Sequence, residues 1–140
     1  MELFKQEFSL ERRKEESAKL QRRHPEYIPI ILYKIKETDP DVLKHKYLIK
    51  REDQASKFIM HVRNLMKANP DEAQKDKPIS LKPDEALFFF TGNEQFSGQV
   101  QVGNVYEQHK DEDGFLYIQY GLEHTFGWPG EEDYIKGIAV

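Results

Sequence analysis

Residues 55–66 constrain the fold more than any other stretch. Ala55, Phe58, Ile59, Val62, Leu65 and Met66 fall at i, i+3, i+4, i+7, i+10 and i+11, which lines one face of an α-helix. Asp53 is placed to cap this helix and Asn69-Pro70 to end it. On both sides the period changes. Residues 28–35, IPIILYKI, are dense in β-branched side chains and read as a strand, with Pro29 near its start where a missing N–H is tolerated. KYLIK at 46–50 reads as a shorter strand, and GFLYIQY at 114–120 as the last one. ALFFF at 86–90 is too apolar for a half-exposed strand and is expected at the centre of a sheet. A short helix is expected from Val105 to Lys110.

Two helices should precede the first strand. Phe4 and Phe8 stand one turn apart and are suited to pin a short helix to the core. Ser9 is a reasonable N-cap for the next helix, which Pro25 stops at about His24. That second helix is almost wholly charged, with Leu20 its one large apolar residue near the end, so it is expected to lie on the domain rather than inside it. The polar stretch 67–78 has two prolines and no period and reads as an exposed loop. Two strands, a long helix and two more strands give an α+β class of β-grasp type: a four-stranded mixed sheet around one helix, with two extra N-terminal helices.

Composition narrows the function. A chain of 140 residues with 38% hydrophobic content fits one modest core. There is no apolar run of about 18 residues to span a bilayer and no secretory leader in MELFKQEF, so a cytoplasmic protein is expected. No cysteine is present, which excludes a thiolate nucleophile and any Cys-based zinc site. The five histidines, His24, His45, His61, His109 and His124, show no metal-ligand spacing. No nucleotide-binding or serine-nucleophile motif occurs, and Asp111, Glu112 and Asp113 read as a solvated turn. The chain is therefore expected not to be an enzyme, to hold no metal and to need no cofactor.

Net charge is −4 and unevenly spread. Residues 1–24 carry seven Lys/Arg against five Asp/Glu, and residues 105–140 carry two against eight. The acidic end is a poor surface for nucleic acid. The cluster Arg12, Arg13, Lys14, Lys19, Arg22 and Arg23 is either a solvated helix face or a surface for an acidic partner.

Several blocks resemble one family in order and spacing: ERRKEE at 11–16, HPEYIPII at 24–31, KYLI at 46–49, DEALFFF at 84–90, YEQHKDED at 106–113 and FLYIQY at 115–120. They are similar to the GABARAP and microtubule-associated light chain 3 family of autophagy ubiquitin-like modifiers, over about residues 4–127. The resemblance implies a helical extension at 1–24, a ubiquitin-like domain at 25–127 with an inserted loop at 67–78, and a tail at 128–140 removed by processing. A cysteine protease would cut after Phe126-Gly127. Activating and carrier enzymes would then pass Gly127 to phosphatidylethanolamine on the forming autophagosome membrane. The tail, beginning Trp128-Pro129, is a departure from the family, and it could instead stay and pack through Trp128, Tyr134 and Ile135.

The resemblance also implies a groove for cargo receptors and adaptors that carry aromatic-x-x-aliphatic motifs. Its first pocket falls to Glu16, Leu20, Pro29, Lys46, Leu48 and Phe115, and its second to Tyr47, Ile49, Phe58 and Val62. Lys44 and Lys46 would meet acidic residues flanking the motif, and Arg63 would support processing. His61 and Lys50 depart from the family pattern, which points to a second pocket of more polar or different selectivity. Two further readings stay open: an unconjugated ubiquitin-like interaction module, and a trafficking or cytoskeletal adaptor working through the basic helix. The expected solution state is monomeric.

Overall fold

The computed structural model describes residues 2–36, 41–42, 44–67 and 86–122. Along these the elements are α1 (Glu2–Glu7), α2 (Leu10–Arg23), β1 (Tyr27–Lys34), β2 (Lys46–Lys50), α3 (Ala55–Lys67), β3 (Leu87–Thr91), β4 (Glu94–Gln95), α4 (Val102–His109) and β5 (Leu116–Leu122). The strands form one sheet in the order β2-β1-β5-β3-β4, with β1 and β5 parallel and the other pairs antiparallel. This is the mixed sheet of a β-grasp, with one strand more than expected. The addition is β4, which returns onto Phe90 and Thr91 through the turn Gly92-Asn93. Gly92 has φ +62, the conformation such a two-residue hairpin turn asks of its first residue.

The buried middle of the sheet is β1 and β5, not ALFFF. Ile28 to Leu32 are buried without a break, because β1 has strands on both edges and helices over both faces. Pro29 is tolerated because pairing with β5 begins only at Ile30. β3 lies one place from the sheet edge, and its burial alternates: Phe89 and Thr91 are buried, Phe88 and Phe90 only half so.

The main core lies between α3 and one sheet face. Ile28, Ile30 and Leu32 of β1 and Leu116, Ile118 and Tyr120 of β5 pack with Phe58, Val62 and Met66 of α3. The helical period of residues 55–66 is therefore the core-facing stripe. Asp53 does not cap α3. The N–H groups of Ala55 and Ser56 donate to the carbonyls of Val100 and Gly98, and the Asp53 carboxylate pairs with Lys57 Nζ at 3.3 Å. A loop of distant sequence thus satisfies donors that a side-chain cap usually serves.

The opposite face carries α1 and α2. Ile31 and Phe115 are buried there, outside the main core. The Phe4 ring stands 5.4 Å from both Phe8 and Phe115, so the two phenylalanines do dock α1. Ser9 caps α2 by accepting the Arg12 N–H, and His24 ends it. The buried stripe of α2 is polar, consisting of Arg13 and Ser17. No helix among the described residues is long and apolar enough to cross a membrane.

Candidate functional site

β2 is an edge strand, so one row of its backbone groups has no strand partner in the sheet. Its register against β1 sets what lies beside that edge. Pro29 stands opposite Leu48 and Ile31 opposite Lys46, on the face that carries α2. Across it, Glu16 of α2 accepts from Lys46 Nζ at 3.1 Å. Glu16, Pro29, Lys46 and Leu48 are thereby brought together at one helix–sheet seam. Leu20, one turn beyond Glu16, is half-buried. Phe115 is only 1% exposed and is covered by Phe4, so it serves as a floor.

Three further residues belong to this seam. Ile31 is two positions from Pro29, and strand alternation alone puts it on the same face. Phe4 and Phe8 hold their rings 5.2 and 5.8 Å from Lys46 Nζ. Beyond Lys46 the seam widens into a cleft of about 510 Å³, lined among others by Phe4, Phe8, Ile31, Lys34, His45 and Lys46. Lys44 and Lys46 are both exposed.

The second set of residues sits differently. Tyr47 and Ile49 point to the α3 side of the sheet, opposite to Leu48. Phe58 and Val62 are 1% and 0% exposed, so they are core and not open pocket walls. Ile49 is half-buried, and His61, edge-on to the Tyr47 ring at 6.1 Å, is exposed. Arg63 is half-buried on α3. Phe126, Gly127, the tail at 128–140 and most of the loop at 67–78 lie outside the described residues.

What holds α2 over the sheet is a buried polar network. Arg13 Nη1 donates to Asp113 Oδ2 at 2.8 Å, and the Phe115 N–H donates to Asp113 Oδ1 at 2.9 Å. The Tyr117 hydroxyl donates to the same carboxylate, and Ser17 donates to the Asp113 carbonyl. Burial and that hydrogen bond hold the Tyr117 phenol well above its ordinary pKa. Gly114 follows at φ +91, where a Cβ would run into the Ser17 hydroxyl. Asp111 holds Lys5 of α1 at 2.8 Å. Burial works against the charged form of Asp111, but the Lys5 ammonium and the Asp113 N–H outweigh it, and its pKa is lowered. Asp111 and Asp113 are therefore anchors, while Glu112 between them is exposed as a solvated turn would have it, and Arg13 is no part of the exposed basic surface. Among the described residues no cluster of ligating side chains is arranged to hold a metal ion.

Comparison with known proteins places this arrangement. The sequence model of the family described as "Autophagy protein Atg8 ubiquitin like" matches residues 12–127. Autophagy-related protein 8d of Arabidopsis thaliana is 36% identical over 125 residues, covering 89% of this chain and 93% of the relative. The crystal structure of Trypanosoma brucei ATG8 superposes with a TM-score of 0.68 at 28% identity, over 86% of this chain and 93% of that one. Plasmodium falciparum Atg8, solved in complex with a Plasmodium falciparum Atg3 peptide, gives 0.70 at 25% identity over 84% and 94%. The match reaches the Atg8 family as a whole and does not separate out its GABARAP and light chain 3 branch. With the family model covering most of its length, the chain belongs to the Atg8 family of ubiquitin-like autophagy proteins.

Proposed function

We propose that this protein is a conjugated modifier of autophagy that does no chemistry of its own. A cysteine protease cuts after Gly127, activating and carrier enzymes take up the exposed glycine, and Gly127 ends as an amide on phosphatidylethanolamine. One observation carries this reading: the family match ends at residue 127, so its last two positions are Phe126 and Gly127. A glycine suits the task because its carbonyl can thread a narrow active site without a Cβ. The two acyl chains of the lipid supply the double anchor that lasting membrane attachment needs. The Atg3 peptide bound to the Plasmodium relative supports a conjugation-pathway partner. Arg63 would steady the chain end during processing.

Once on the membrane, the protein recruits partners along β2. An extended peptide adds its backbone to the strand edge and places an aromatic side chain at the seam of Glu16, Leu20, Pro29, Ile31 and Leu48. Its second anchor enters beside Tyr47 and Ile49. Lys44 and Lys46 attract acidic flanking residues, and Lys46 must leave Glu16 to do so. That exchange costs little, since both side chains are solvated, at 53% and 40% exposed.

The test is the intact mass of the protein after incubation with an Atg8-processing protease, followed by conjugation on vesicles containing phosphatidylethanolamine. The expected result is loss of the thirteen residues 128–140 and lipid attachment abolished by Gly127→Ala. A chain that stays uncut, and whose Gly127-terminated form is not lipidated, would sink the modifier reading in favour of an unconjugated binding module.

A further inference from the structure

Tyr47 is 7% exposed, and its hydroxyl is a buried side-chain polar atom with no hydrogen-bond partner among the described residues. Burial alone pushes its pKa up to about 12. The ring packs edge-on against Phe58 at 5.2 Å and against His61 at 6.1 Å. A phenylalanine would fill the same space and make the same ring contacts, so packing does not account for the oxygen. Buried hydroxyls are normally paired, and one that is not carries its desolvation cost unmet.

The position of the orphan donor is informative. Tyr47 belongs to the edge strand, and its ring spans from that edge to α3. Of its ring neighbours among the described residues, Phe58 is core and His61 is an exposed side chain. Movement of His61, an exposed side chain against that ring, would be the path from solvent to the phenol. On the groove reading proposed above, on which this inference rests, that path is where the second anchoring side chain of the peptide enters. An aliphatic anchor would leave the hydroxyl unpaired, whereas a side chain ending in a carbonyl oxygen would complete it.

We infer that the second pocket accepts a side chain ending in a carbonyl oxygen, glutamine being the simplest, with the Tyr47 hydroxyl as donor and His61 as the movable mouth. Selectivity at the second anchor then rests on a hydrogen bond rather than on apolar fit alone. A pocket that presents a buried donor discriminates against anchors lacking an acceptor, because the donor stays unpaired when they bind.

The experiment is a calorimetric titration of the full chain with synthetic peptides. Each carries two acidic residues before a tryptophan and differs only at the third residue after it, Leu in one and Gln in the other. A control replaces the tryptophan by alanine. The Gln peptide is expected to bind at least as tightly as the Leu peptide. Tyr47→Phe should weaken the Gln peptide about fivefold, the loss of one neutral hydrogen bond, and leave the Leu peptide within about twofold. If Tyr47→Phe changes neither peptide, or both equally, the hydroxyl takes no part in selection and the inference falls while the groove stands. If no peptide binds, or the alanine control binds as well as its parent, the groove reading and this inference fall together. Because the substitution removes only an oxygen, unfolding curves of the two proteins show directly whether the fold is retained.

Discussion

Tyr47 and Asp113 are two buried polar side chains in opposite circumstances. Asp113 spends its carboxylate on Arg13, Tyr117 and the Phe115 N–H, whereas the Tyr47 hydroxyl has no partner among the described residues. Substitutions should therefore act in opposite directions. Asp113→Asn leaves the Arg13 guanidinium buried without its counter-charge and is expected to lower stability by about 3 kcal/mol, read from the urea midpoint. Tyr47→Phe removes an unmet donor and should raise stability by about 1 kcal/mol. The second substitution also has a signature in alkali. The folded pKa of Tyr47 is raised, to about 12, above an unfolded value of about 10. Its contribution is fully present below the unfolded value and is lost as pH rises through the folded one. The wild-type midpoint should fall more steeply than that of Tyr47→Phe between about pH 10 and about pH 12. Parallel curves would mean that the hydroxyl is not buried in solution.

At the scale of elements, α1 is the shortest helix among the described residues. A helix of six residues cannot stand alone in water, so its order comes from docking. Its attachments include the Phe4 ring on Phe115 and Tyr117, Lys46 over the Phe4 ring, the Lys5–Asp111 ion pair, and Lys5 over the Tyr117 ring at 4.5 Å. Since the Asp111 pKa is lowered on folding, the pair contributes above the unfolded value of about 4 and is lost as pH falls through the folded one. Protection of the Phe8 amide, which donates to the Phe4 carbonyl at 3.1 Å, should be flat near neutrality and decline in acid. Lys5→Ala should lower that protection at every pH and flatten the acid decline, as hydrogen exchange followed by NMR would show. An unchanged profile would mean that the aromatic contacts alone hold α1. The α2 helix differs in kind, because its attachment is the Arg13–Asp113 network rather than apolar area.

For the whole molecule, the division between core and extension is sharp. Among the described residues every member of the main core lies between Ile28 and Leu122, so the first 24 residues are added to a domain that closes without them. A chain beginning at Pro25 should still unfold cooperatively. Its stability should be lower by about 3 kcal/mol, because Ile31 and Phe115 lose their cover. It should also lose the first pocket, whose outer wall is Glu16 and Leu20. Circular dichroism in urea and titration with the Leu peptide read the two effects separately. A truncated chain that is unfolded would show that α2 is part of the folding unit.

Local periodicity by itself determined much of this protein. The 3.6-residue spacing of Ala55 to Met66, the alternation in KYLIK and the helix boundaries at Ser9 and His24 each depend on residues within a turn or two of one another. Such features are legible because the physics behind them is short-ranged. The same alternation carries the signal that sets Ile31 beside Pro29 in the groove, although the family resemblance singles out Pro29 alone. What tertiary structure alone decided involves partners far apart in the chain. Arg13 and Asp113 are 100 residues apart, and nothing in ERRKEE or KDED says that one arginine and one aspartate leave the solvent together. Asp53 lost its capping role to carbonyls of residues 98 and 100. Phe58 and Val62 fit pocket wall and core equally well until the sheet is laid against α3. A pattern of apolar residues says which face of an element is buried; what buries it, and which polar groups go with it, is settled only when distant segments meet.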